Sequence, residues 1–523
     1  MDRSSVRESI IRQLLRSAIS NYLGRFINIG VWLLLTPFIL DRLETTLYGL
    51  WMLVGSVIAY GSLLDFGIAG AVTKYVAEYW AKGQTKEAQQ LVGTALIICL
   101  VLGSIALAIS IIVAPFFSRI FNVPPENHST AIWLVILAGF GTGLAIPSNS
   151  TIAVLRGLQR FDILNLIGVI STLFLAGSTV VVLLLGGSVV GVAATGVAVN
   201  LLMLVPTVWI IHRIAPDLRF GLAGGSLQML RTVTSFSSSM FMLRIGGHLE
   251  TKTDEIVVGA FLPMSSVTPY NLARRLSTLP QMVTEQFLTL LLPLASKLHA
   301  ENDQAHLRSL YIISTRLTLA IFLPVGVSLV FLAGPFLTVW VGQAFADYAH
   351  LVLILSLASM IDTSTWPAGS VLQGMGLPRF SGAMSIISGV SNLLLSLVLV
   401  QKIGLTGVAL GTLLPTCIVC LGFVHPYVIR TIKVPLGEVF RRVILPALIP
   451  VVPAGVGIYI LSQRLALTSI LPILLVGASG SLLYLAVYLR MGANEFERAI
   501  LRNVWIEIAH RAKSYSNASQ RSL

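Results

Sequence analysis

Residues 232–262 read TVTSFSSSMFMLRIGGHLETKTDEIVVGAFL, and residues 265–297 read SSVTPYNLARRLSTLPQMVTEQFLTLLLPLASK. At about 1.5 Å of rise per residue, each stretch is long enough as a helix to cross a hydrocarbon core of about 30 Å. We therefore predict two membrane-spanning helices that carry charge, instead of an outer loop. Apart from Lys297 at the very end of the second stretch, their charged residues are Arg244, Glu250, Lys252, Asp254, Glu255, Arg274, Arg275 and Glu285.

Charged side chains inside a bilayer require polar surroundings. An Arg or Lys at the centre of a spanning helix costs about 2.5–3.5 kcal/mol on an insertion scale. The basic residues of the two stretches would together cost on the order of 10 kcal/mol if they faced lipid unpaired. We expect them to face a water-filled cavity, one another or an anionic ligand.

The composition places the rest of the chain in the membrane as well. Of the 523 residues, 55% are hydrophobic and only 11% are charged, and apolar runs recur from end to end. The net charge of +13 does not indicate a nucleic-acid partner, because the basic residues lie between apolar segments and no RNA- or DNA-binding motif accompanies them. Cys99, Cys417 and Cys420 fall inside apolar runs, so neither a disulfide framework nor a zinc site is expected. No cofactor, metal site or enzyme signature is predicted.

Apolar segments of spanning length predict an all-α polytopic membrane protein with about 14 transmembrane helices. With this division, Lys and Arg residues gather on one side, and only Arg42, Arg119, Lys402 and Arg464 fall on the other. The positive-inside rule then places both termini in the cytoplasm, provided that residues 232–297 cross the membrane an even number of times. The predicted spans are 17–40, 47–70, 89–113, 130–155, 161–186, 188–211, 232–262, 265–296, 309–333, 348–372, 379–401, 404–429, 439–462 and 468–490.

An internal repeat relates the first six spans to the next six. The sequence of Val154–Phe161 reappears at Val371–Phe380, and Gly191–Ala193 reappears at Gly407–Ala409. Both matches equate a helix with the helix six spans later. Because six is even, the two lobes have the same orientation, so they are related by an axis along the membrane normal, as in transporters with a site between lobes.

The repeat predicts four domains along the chain. Residues 1–222 form an N-terminal six-helix lobe, residues 223–433 form a C-terminal six-helix lobe, residues 434–490 contain two further helices, and residues 491–523 form a cytoplasmic amphipathic tail. In the tail, Asn494 and Glu497 have the spacing of a capping box. The tail is expected either to lie on anionic lipid or to pack on loops.

Polar residues form a stripe on the first predicted span. Asn21, Arg25 and Asn28 recur at spacings that place them on one face of the helix. A polar stripe on a spanning helix points away from lipid, which favours a cavity; snorkelling of Arg25 to the membrane edge is the alternative. The tenth span carries Asp362 beside a stripe of hydroxyl residues, where a cavity and ordinary interhelical hydrogen bonding are both open.

The charges of the seventh and eighth spans restrict their possible partners. Arg274 and Glu285 share a helix face but lie about 16 Å apart along the axis, so they cannot pair with each other. Glu250 and Asp254 lie one turn apart on the seventh span and repel each other unless a cation intervenes. Structural ion pairing between the two spans and a role in ligand binding are both open for each of these residues.

Four segments resemble a known family. Tyr48–Trp51 (YGLW), Leu64–Gly70 (LDFGIAG), Lys74–Glu78 (KYVAE) and Asp254–Leu262 (DEIVVGAFL) are similar to bacterial polysaccharide flippases of the multidrug, oligosaccharidyl-lipid and polysaccharide exporter superfamily. The resemblance covers roughly residues 15 to 430. It implies that lipid-linked oligosaccharides are transported from the cytoplasmic to the outer leaflet by alternating access, with a cationic cavity that takes the pyrophosphate.

The residues support this interpretation independently of the resemblance. A lipid pyrophosphate brings negative charge into the membrane, and Arg side chains bind phosphate through two parallel hydrogen bonds. The candidate ligands are Asn21, Arg25, Asn28, Arg244, Lys252, Arg274 and Arg275. The candidate ion-coupling residues are Asp65, Glu250, Asp254, Glu285 and Asp362.

Two other functions are weighed against the flippase. A cation or drug antiporter of the same superfamily would need acidic and aromatic cavity residues to outnumber Arg, and a membrane glycosyl polymerase or ligase is disfavoured by the short outer loops. The expected partners are a polyprenyl-pyrophosphate-linked oligosaccharide, membrane lipids, polymerase and chain-length proteins of the same pathway, and a coupling H⁺ or Na⁺. The expected location is the bacterial cytoplasmic (inner) membrane.

Overall fold

A computed structural model describes residues 3–218, 226–288, 291–493 and 498, without the side chains of residues 3–23 and of most residues between 227 and 250. The described chain is helical between short turns. Its first nine helices are α1 (Arg3–Ala59), α2 (Ile68–Ala81), α3 (Thr85–Ile120), α4 (His128–Gly157), α5 (Phe161–Leu184), α6 (Val189–Ile214), α7 (Leu227–Phe261), α8 (Val267–Ser277) and α9 (Leu279–Leu288). The others are α10 (Leu291–Ala300), α11 (Gln304–Val341), α12 (Ala349–Gly374), α13 (Pro378–Val419), α14 (His425–Thr431), α15 (Leu436–Val439), α16 (Leu445–Leu448), α17 (Val451–Arg464) and α18 (Ile470–Val487).

Ten helical stretches of the described residues are long and apolar enough to cross a membrane. Two of these stretches contain two predicted spans each, because α1 bends at Glu44 (φ 60°, ψ 160°) and α13 bends at Ile403 and Gly404. The charged seventh and eighth spans are not among the ten, but both stretches are helical, as α7 and as α8 to α10. The prediction of an all-α polytopic membrane protein is confirmed.

Two predicted spans differ from the observed helices. The eighth span is broken after Ser277, where Pro280 lacks the N–H that would continue the helix and clashes with the carbonyl of the preceding turn. The second span continues to Ala81 beyond a break at Phe66 and Gly67, both in left-handed conformation (φ 46° and 85°). Asp65 is buried at this break, where its Oδ1 accepts a hydrogen bond from Ala69 N at 3.4 Å.

The internal repeat corresponds to the same local structure in both lobes. Helix α4 ends with a hydrogen bond from Leu158 N to Val154 O (2.9 Å) and a left-handed Gln159; α12 ends with the equivalent bond from Met375 N to Val371 O (2.9 Å) and a left-handed Gly376. In each case the preceding glycine allows a close helix approach. Gly157 of α4 lies against α2, which continues the second predicted span. Gly374 of α12 lies against α10, which belongs to the eighth predicted span, six spans later.

The two ends of the molecule have different cores. At one end, which carries Glu44 and loops 121–127, 262–266 and 342–348, a single hydrophobic core contains residues of both lobes. At the opposite end, which carries loops 158–160, 301–303 and 375–377, one core belongs to the N-terminal lobe with the start of α7, and a second belongs to the C-terminal lobe. We call these the closed end and the open end.

The last helices pack on the outside of the second lobe. Ala447, Ala454 and Tyr484 pack against Leu323 of α11, and Ile458 and Val476 pack against the same helix nearer the closed end. The domain limits at 222, 433 and 490 stay predictions. The predicted amphipathic tail, residues 491–523, lies outside the described residues, apart from residues 491–493 and Arg498.

Candidate functional site

A cavity of about 970 Å³ lies between α1, α7 to α9, α12 and α13. Its lining extends to Gln373 and Ser381, on either side of the turn between α12 and α13 at the open end. At its inner limit, Trp32, Asn271 and Leu355 line it next to the shared core of the closed end. The cavity therefore runs from the open end into the membrane interior and stops below the closed end.

Three side chains donate hydrogen bonds to one carboxylate oxygen beside this cavity. Asp254 is fully buried, and its Oδ2 accepts hydrogen bonds from Arg274 Nη1 (2.6 Å), Tyr270 Oη (2.7 Å) and Thr412 Oγ1 (2.9 Å). Tyr270 and Arg274 lie one turn apart on α8, so both reach the same residue of α7. This is the structural ion pair between the seventh and eighth spans. Thr412 belongs to α13, so the network joins α7, α8 and α13. Within α13, Asn392 Nδ2 also donates to Thr412 Oγ1 at 2.9 Å.

The neighbouring residues on the same two helices make a second contact. Asn271 Nδ2 donates to Glu255 Oε1 at 3.0 Å, one position along each helix from the Tyr270–Asp254 bond. Glu255 is only 2% exposed, and its Oε2 has no hydrogen-bond partner among the described residues. Glu255 and Asn271 both line the cavity.

Two cations that line the inner part of the cavity, Lys252 and Arg275, form no salt bridge with a described carboxylate. Arg275 lies over the Trp32 ring, with its guanidinium carbon 5.5 Å from the ring centroid, and its Nη2 lies 3.8 Å from Met52 Sδ. Lys252 is half-buried in α7, and its charge interacts with Glu255, Arg274 and Arg275. Lys252, Arg274 and Arg275 form a cationic cluster that faces the cavity.

An ion pair connects the two lobes nearer the open end. Arg25 of α1 donates through Nη2 to Glu285 Oε2 of α9. Their side chains are 36% and 53% exposed, and both line the cavity. In agreement with the helix spacing, Arg274 and Glu285 have different partners. Arg274 pairs with Asp254 of α7, and Glu285 pairs with Arg25 of α1. Arg25 thus lies in the cavity lining, which is the position that the cavity interpretation of the polar stripe predicts.

Asp362 lies in the wall of the cavity formed by α12. Its Oδ2 accepts from Gln281 Nε2 and from Trp366 Nε1, each at 3.2 Å. The Gln281 amide also donates to Ser359 O at 3.2 Å, which holds α9 against α12. All four of these residues line the cavity, so this carboxylate is oriented by neutral donors.

The other predicted site residues are distributed differently. Asn28 lines the cavity and accepts a hydrogen bond from Thr172 Oγ1 at 2.6 Å. Asp65 is absent from the cavity lining and lies at the break in the second span. The side chains of Asn21, Arg244 and Glu250 lie outside the described residues.

The sequence analysis missed several neutral members of the site. Trp32 continues the stripe of Arg25 and Asn28 by one further turn, and Asn271 and Gln281 are polar residues in a predicted span. Helical spacing and polarity could therefore have identified these three positions as candidate cavity residues. Thr412 and Trp366 carried no such signal, because hydroxyl and indole side chains are ordinary in spanning helices.

The closed end is sealed by contacts between the lobes. Trp340 Nε1 of α11 donates to Leu33 O at 2.6 Å, and the rings of Trp32 and Trp340 meet edge to face with centroids 4.9 Å apart. Thr268 Oγ1 donates to Thr45 O at 2.6 Å beside the Glu44 bend. Since Trp32 also contacts Arg275, one ring links the cationic cluster to the seal.

Comparisons with known proteins agree with this architecture. A flippase of Haloferax volcanii, "Probable low-salt glycan biosynthesis flippase Agl15", is 23% identical over 404 residues, which is 77% of this chain and 80% of that protein. The structure of "Lipid II flippase MurJ, inward closed conformation" is similar with a TM-score of 0.72 at 15% identity, over 91% of this chain and 99% of that one. A multidrug resistance MATE family transporter in an inward-facing conformation has a TM-score of 0.61 at 17% identity, over 78% and 98%.

The solved structures establish the fold, and a family model identifies the relationship. That model, described as polysaccharide biosynthesis protein, matches residues 43–350, more than half of the chain. The match includes the bend at Glu44, the whole of α7 to α10 and the cationic cluster. The chain belongs to the polysaccharide biosynthesis protein family.

Proposed function

We propose that this protein is a flippase that moves a polyprenyl-pyrophosphate-linked oligosaccharide from the cytoplasmic to the outer leaflet by alternating access. The observation that carries the proposal is the cationic cluster of Lys252, Arg274 and Arg275, at the inner limit of a cavity that is closed at one end. Family membership and the flippase relative support it.

The cationic cluster has the chemistry that a pyrophosphate needs. Arg275 presents a planar guanidinium donor, Lys252 adds a point charge, and neither forms an ion pair with a described carboxylate. Arg274 is already ion-paired with Asp254, which offsets much of its charge and holds its side chain in place. Within the cluster, Arg275 is the proposed principal phosphate ligand.

Binding at this position would couple the substrate to the seal. A phosphate that draws the Arg275 guanidinium away from Trp32 removes a contact from the ring that packs on Trp340. A ligand shifts a conformational equilibrium only through a difference in affinity between the two states. We assign that difference to Arg275. Its guanidinium contacts the Trp32 ring when the closed end is sealed without substrate, and it binds the phosphate when substrate is present.

The proposal includes orientation and partners. The open end faces the cytoplasm together with both termini, in a bacterial inner membrane, because the basic loops lie on that side. Glu255 is the proposed site for a coupling H⁺, since one of its oxygens is buried without a described partner beside Lys252. Polymerase and chain-length proteins of the same pathway are the proposed protein partners. The proposed activity is transport, not polymer joining.

An ion-coupled antiporter is the second candidate. The carboxylates of Glu255 and Asp362 line the cavity and are held by neutral donors, as a site for a cation or a cationic drug would require. The flippase is favoured because three cations gather at the inner limit of the same cavity.

The test is polysaccharide export in cells that carry single substitutions at matched protein levels. Arg275→Lys should retain part of the activity, because it keeps the charge and loses the planar fork, whereas Arg275→Ala and Arg275→Glu should retain almost none. Arg119→Ala is the matched control, since Arg119 is an exposed arginine near the closed end outside the cavity. Wild-type export by Arg275→Ala would contradict the proposal. Normal export together with drug resistance that depends on Glu255 would favour the antiporter.

A further inference from the structure

The walls of the cavity differ in chemistry along its depth. The cationic cluster lies near the closed end: Arg275 is roughly 12 Å along α8 from its first residue, at 1.5 Å per residue. Asp362 and Trp366 lie roughly 20 Å and 26 Å along α12 from its closed-end start, and therefore nearer the open end. In the lining that the structure describes, α12 and α13 contribute hydroxyl and amide side chains and one carboxylate, but no Lys or Arg.

Two helix faces contribute these polar groups to the cavity lining. Asp362, Trp366 and Ser370 are spaced by four along α12, so they share one face. Ser381 and Ser385 are likewise spaced by four along α13, and both line the cavity. The helices approach where Ser381 lies next to Gly369. The Ser381 hydroxyl is buried without a hydrogen-bond partner among the described residues.

The Asp362 site has an oriented acceptor beside an oriented ring. The carboxylate is fixed through one oxygen by Gln281 and Trp366, and the same bond to Trp366 Nε1 fixes the plane of the indole. A fixed carboxylate accepts hydrogen bonds from neutral hydroxyl groups, and the indole offers a broad apolar surface with its polar atom already satisfied. This combination suits a sugar ring, which has hydroxyl groups at its edge and C–H groups on its faces.

We propose that this wall of α12 and α13, centred on Asp362, Trp366 and Ser381 and completed by Gln281 of α9, is a sugar-binding subsite that lies nearer the open end than the cationic cluster. The inference rests on the proposed flippase function. It agrees with the order of groups in the ligand: a lipid in the cytoplasmic leaflet has its chain in the membrane, its pyrophosphate next, and its sugars toward the cytoplasm. The cavity has the same order, with cations inside and hydroxyl groups nearer the open end.

The assignment separates two roles for Asp362. A coupling cation at Asp362 would make the negative charge essential for transport of every substrate. A hydrogen bond to a sugar hydroxyl needs no negative charge, because in Asp362→Asn the amide oxygen can still accept from Gln281 and Trp366 while the amide NH2 donates to the hydroxyl oxygen. The sugar-binding role therefore predicts that Asp362→Asn keeps most of its affinity for the glycan-bearing lipid, whereas Asp362→Ala loses it.

The experiment measures binding to the purified full-length protein in lipid nanodiscs with two probes. One probe is polyprenyl pyrophosphate without sugar, and the other is the polyprenyl-pyrophosphate-linked oligosaccharide extracted from the cells that produce the protein. Trp366→Ala and Asp362→Ala should weaken binding of the glycan-bearing lipid by at least about tenfold, because a site built for hydroxyl groups loses its pairing. Their binding of the bare lipid should stay within about twofold of wild type.

Controls separate this inference from the proposed function. Arg275→Ala should weaken binding of both probes, and Trp133→Ala, which removes an exposed tryptophan of α4, should weaken neither. Equal loss of both probes in Trp366→Ala, or no loss of either, would overturn the sugar subsite while Arg275 dependence leaves the flippase proposal standing. If the wild-type protein binds neither probe, the proposed function fails and the subsite fails with it. Loss of transport in Asp362→Asn with binding of both probes unchanged would assign Asp362 to ion coupling instead.

Discussion

The closed end and the open end are built from the same pair of lobes but join them differently. At the closed end, the lobes share one hydrophobic core and the Trp340–Leu33 hydrogen bond. At the open end, each lobe has its own core, except that the start of α7 packs into the core of the N-terminal lobe, and an exposed ion pair, Arg25–Glu285, bridges α1 and α9 at the cavity wall. Close packing of many side chains and an interlobe hydrogen bond stabilise more than one exposed ion pair does. The two lobes are thus held together more firmly at the closed end than at the open end.

Locking the closed end should have the largest effect. Thr45→Cys with Thr268→Cys, in a background without Cys99, Cys417 and Cys420, places two thiols where the lobes already contact each other. Alternating access requires these residues to separate, so oxidation should reduce export at least about tenfold, and reduction should restore it. Each single-cysteine protein is the control. Full export with a complete cross-link would show that the closed end never opens.

Weakening the closed end should have the next largest effect. Trp340→Ala removes a buried ring and the hydrogen bond to Leu33, a change that costs about 3–5 kcal/mol in a packed core. These contacts exist only while the closed end is sealed, so the equilibrium should shift toward the conformation in which that end is open. Labelling of a cysteine at Thr45 from outside should increase. Trp340→Phe keeps an aromatic ring but loses the hydrogen bond to Leu33, so it should show a smaller increase. Equal labelling of the Thr45 cysteine with Trp, Ala or Phe at position 340 would mean that Trp340 does not hold the seal.

Removing the open-end ion pair should change stability much less. Arg25→Ala or Glu285→Ala deletes an exposed pair, which is worth about 1 kcal/mol or less after solvent screening. The melting temperature should move by a few degrees at most, by roughly the ratio of free energy to unfolding entropy. The double variant Arg25→Glu with Glu285→Arg should recover the difference. A large loss of stability in either Ala variant would show that the open end is held as firmly as the closed end.

The smallest effect is expected at the two equivalent helix ends of the open end. Gln159 has a φ of 58° where Gly376 has a φ of 78°, and glycine adopts this conformation without steric cost. Gln159→Gly should therefore stabilise the protein by up to about 1 kcal/mol, whereas Gly376→Ala should destabilise it by a similar amount. Thermal denaturation in detergent measures both. Changes of the same sign would contradict the structural equivalence of the two lobes.

The sequence was sufficient for the features that depend on local pattern. Apolar length identified the spans, and the repeat of Val154–Phe161 at Val371–Phe380 corresponds to equivalent helix ends. The polar stripe placed Arg25 and Asn28 in the cavity lining. Helical spacing excluded an Arg274–Glu285 pair, which left both residues to partners on other helices.

The contacts between distant helices could not be predicted. Arg25 and Glu285 are 260 positions apart, and their pairing depends on the angle between the lobes. Asp254 could have paired with several cations, and it pairs with Arg274 because Tyr270 and Thr412 complete the same small network. The Trp340–Leu33 seal uses a backbone carbonyl, which no sequence pattern marks.

The most direct test of the account is the side from which a cavity residue is labelled. Thr251 is exposed to the cavity, so Thr251→Cys in a cysteine-free background can be treated with a membrane-impermeant thiol reagent in intact cells and in inverted vesicles. Ser265→Cys at the closed end and Glu301→Cys at the open end serve as references. In the absence of substrate, Thr251→Cys should label like Glu301→Cys, from the cytoplasmic side only. Labelling from outside, together with Ser265→Cys, would contradict the account.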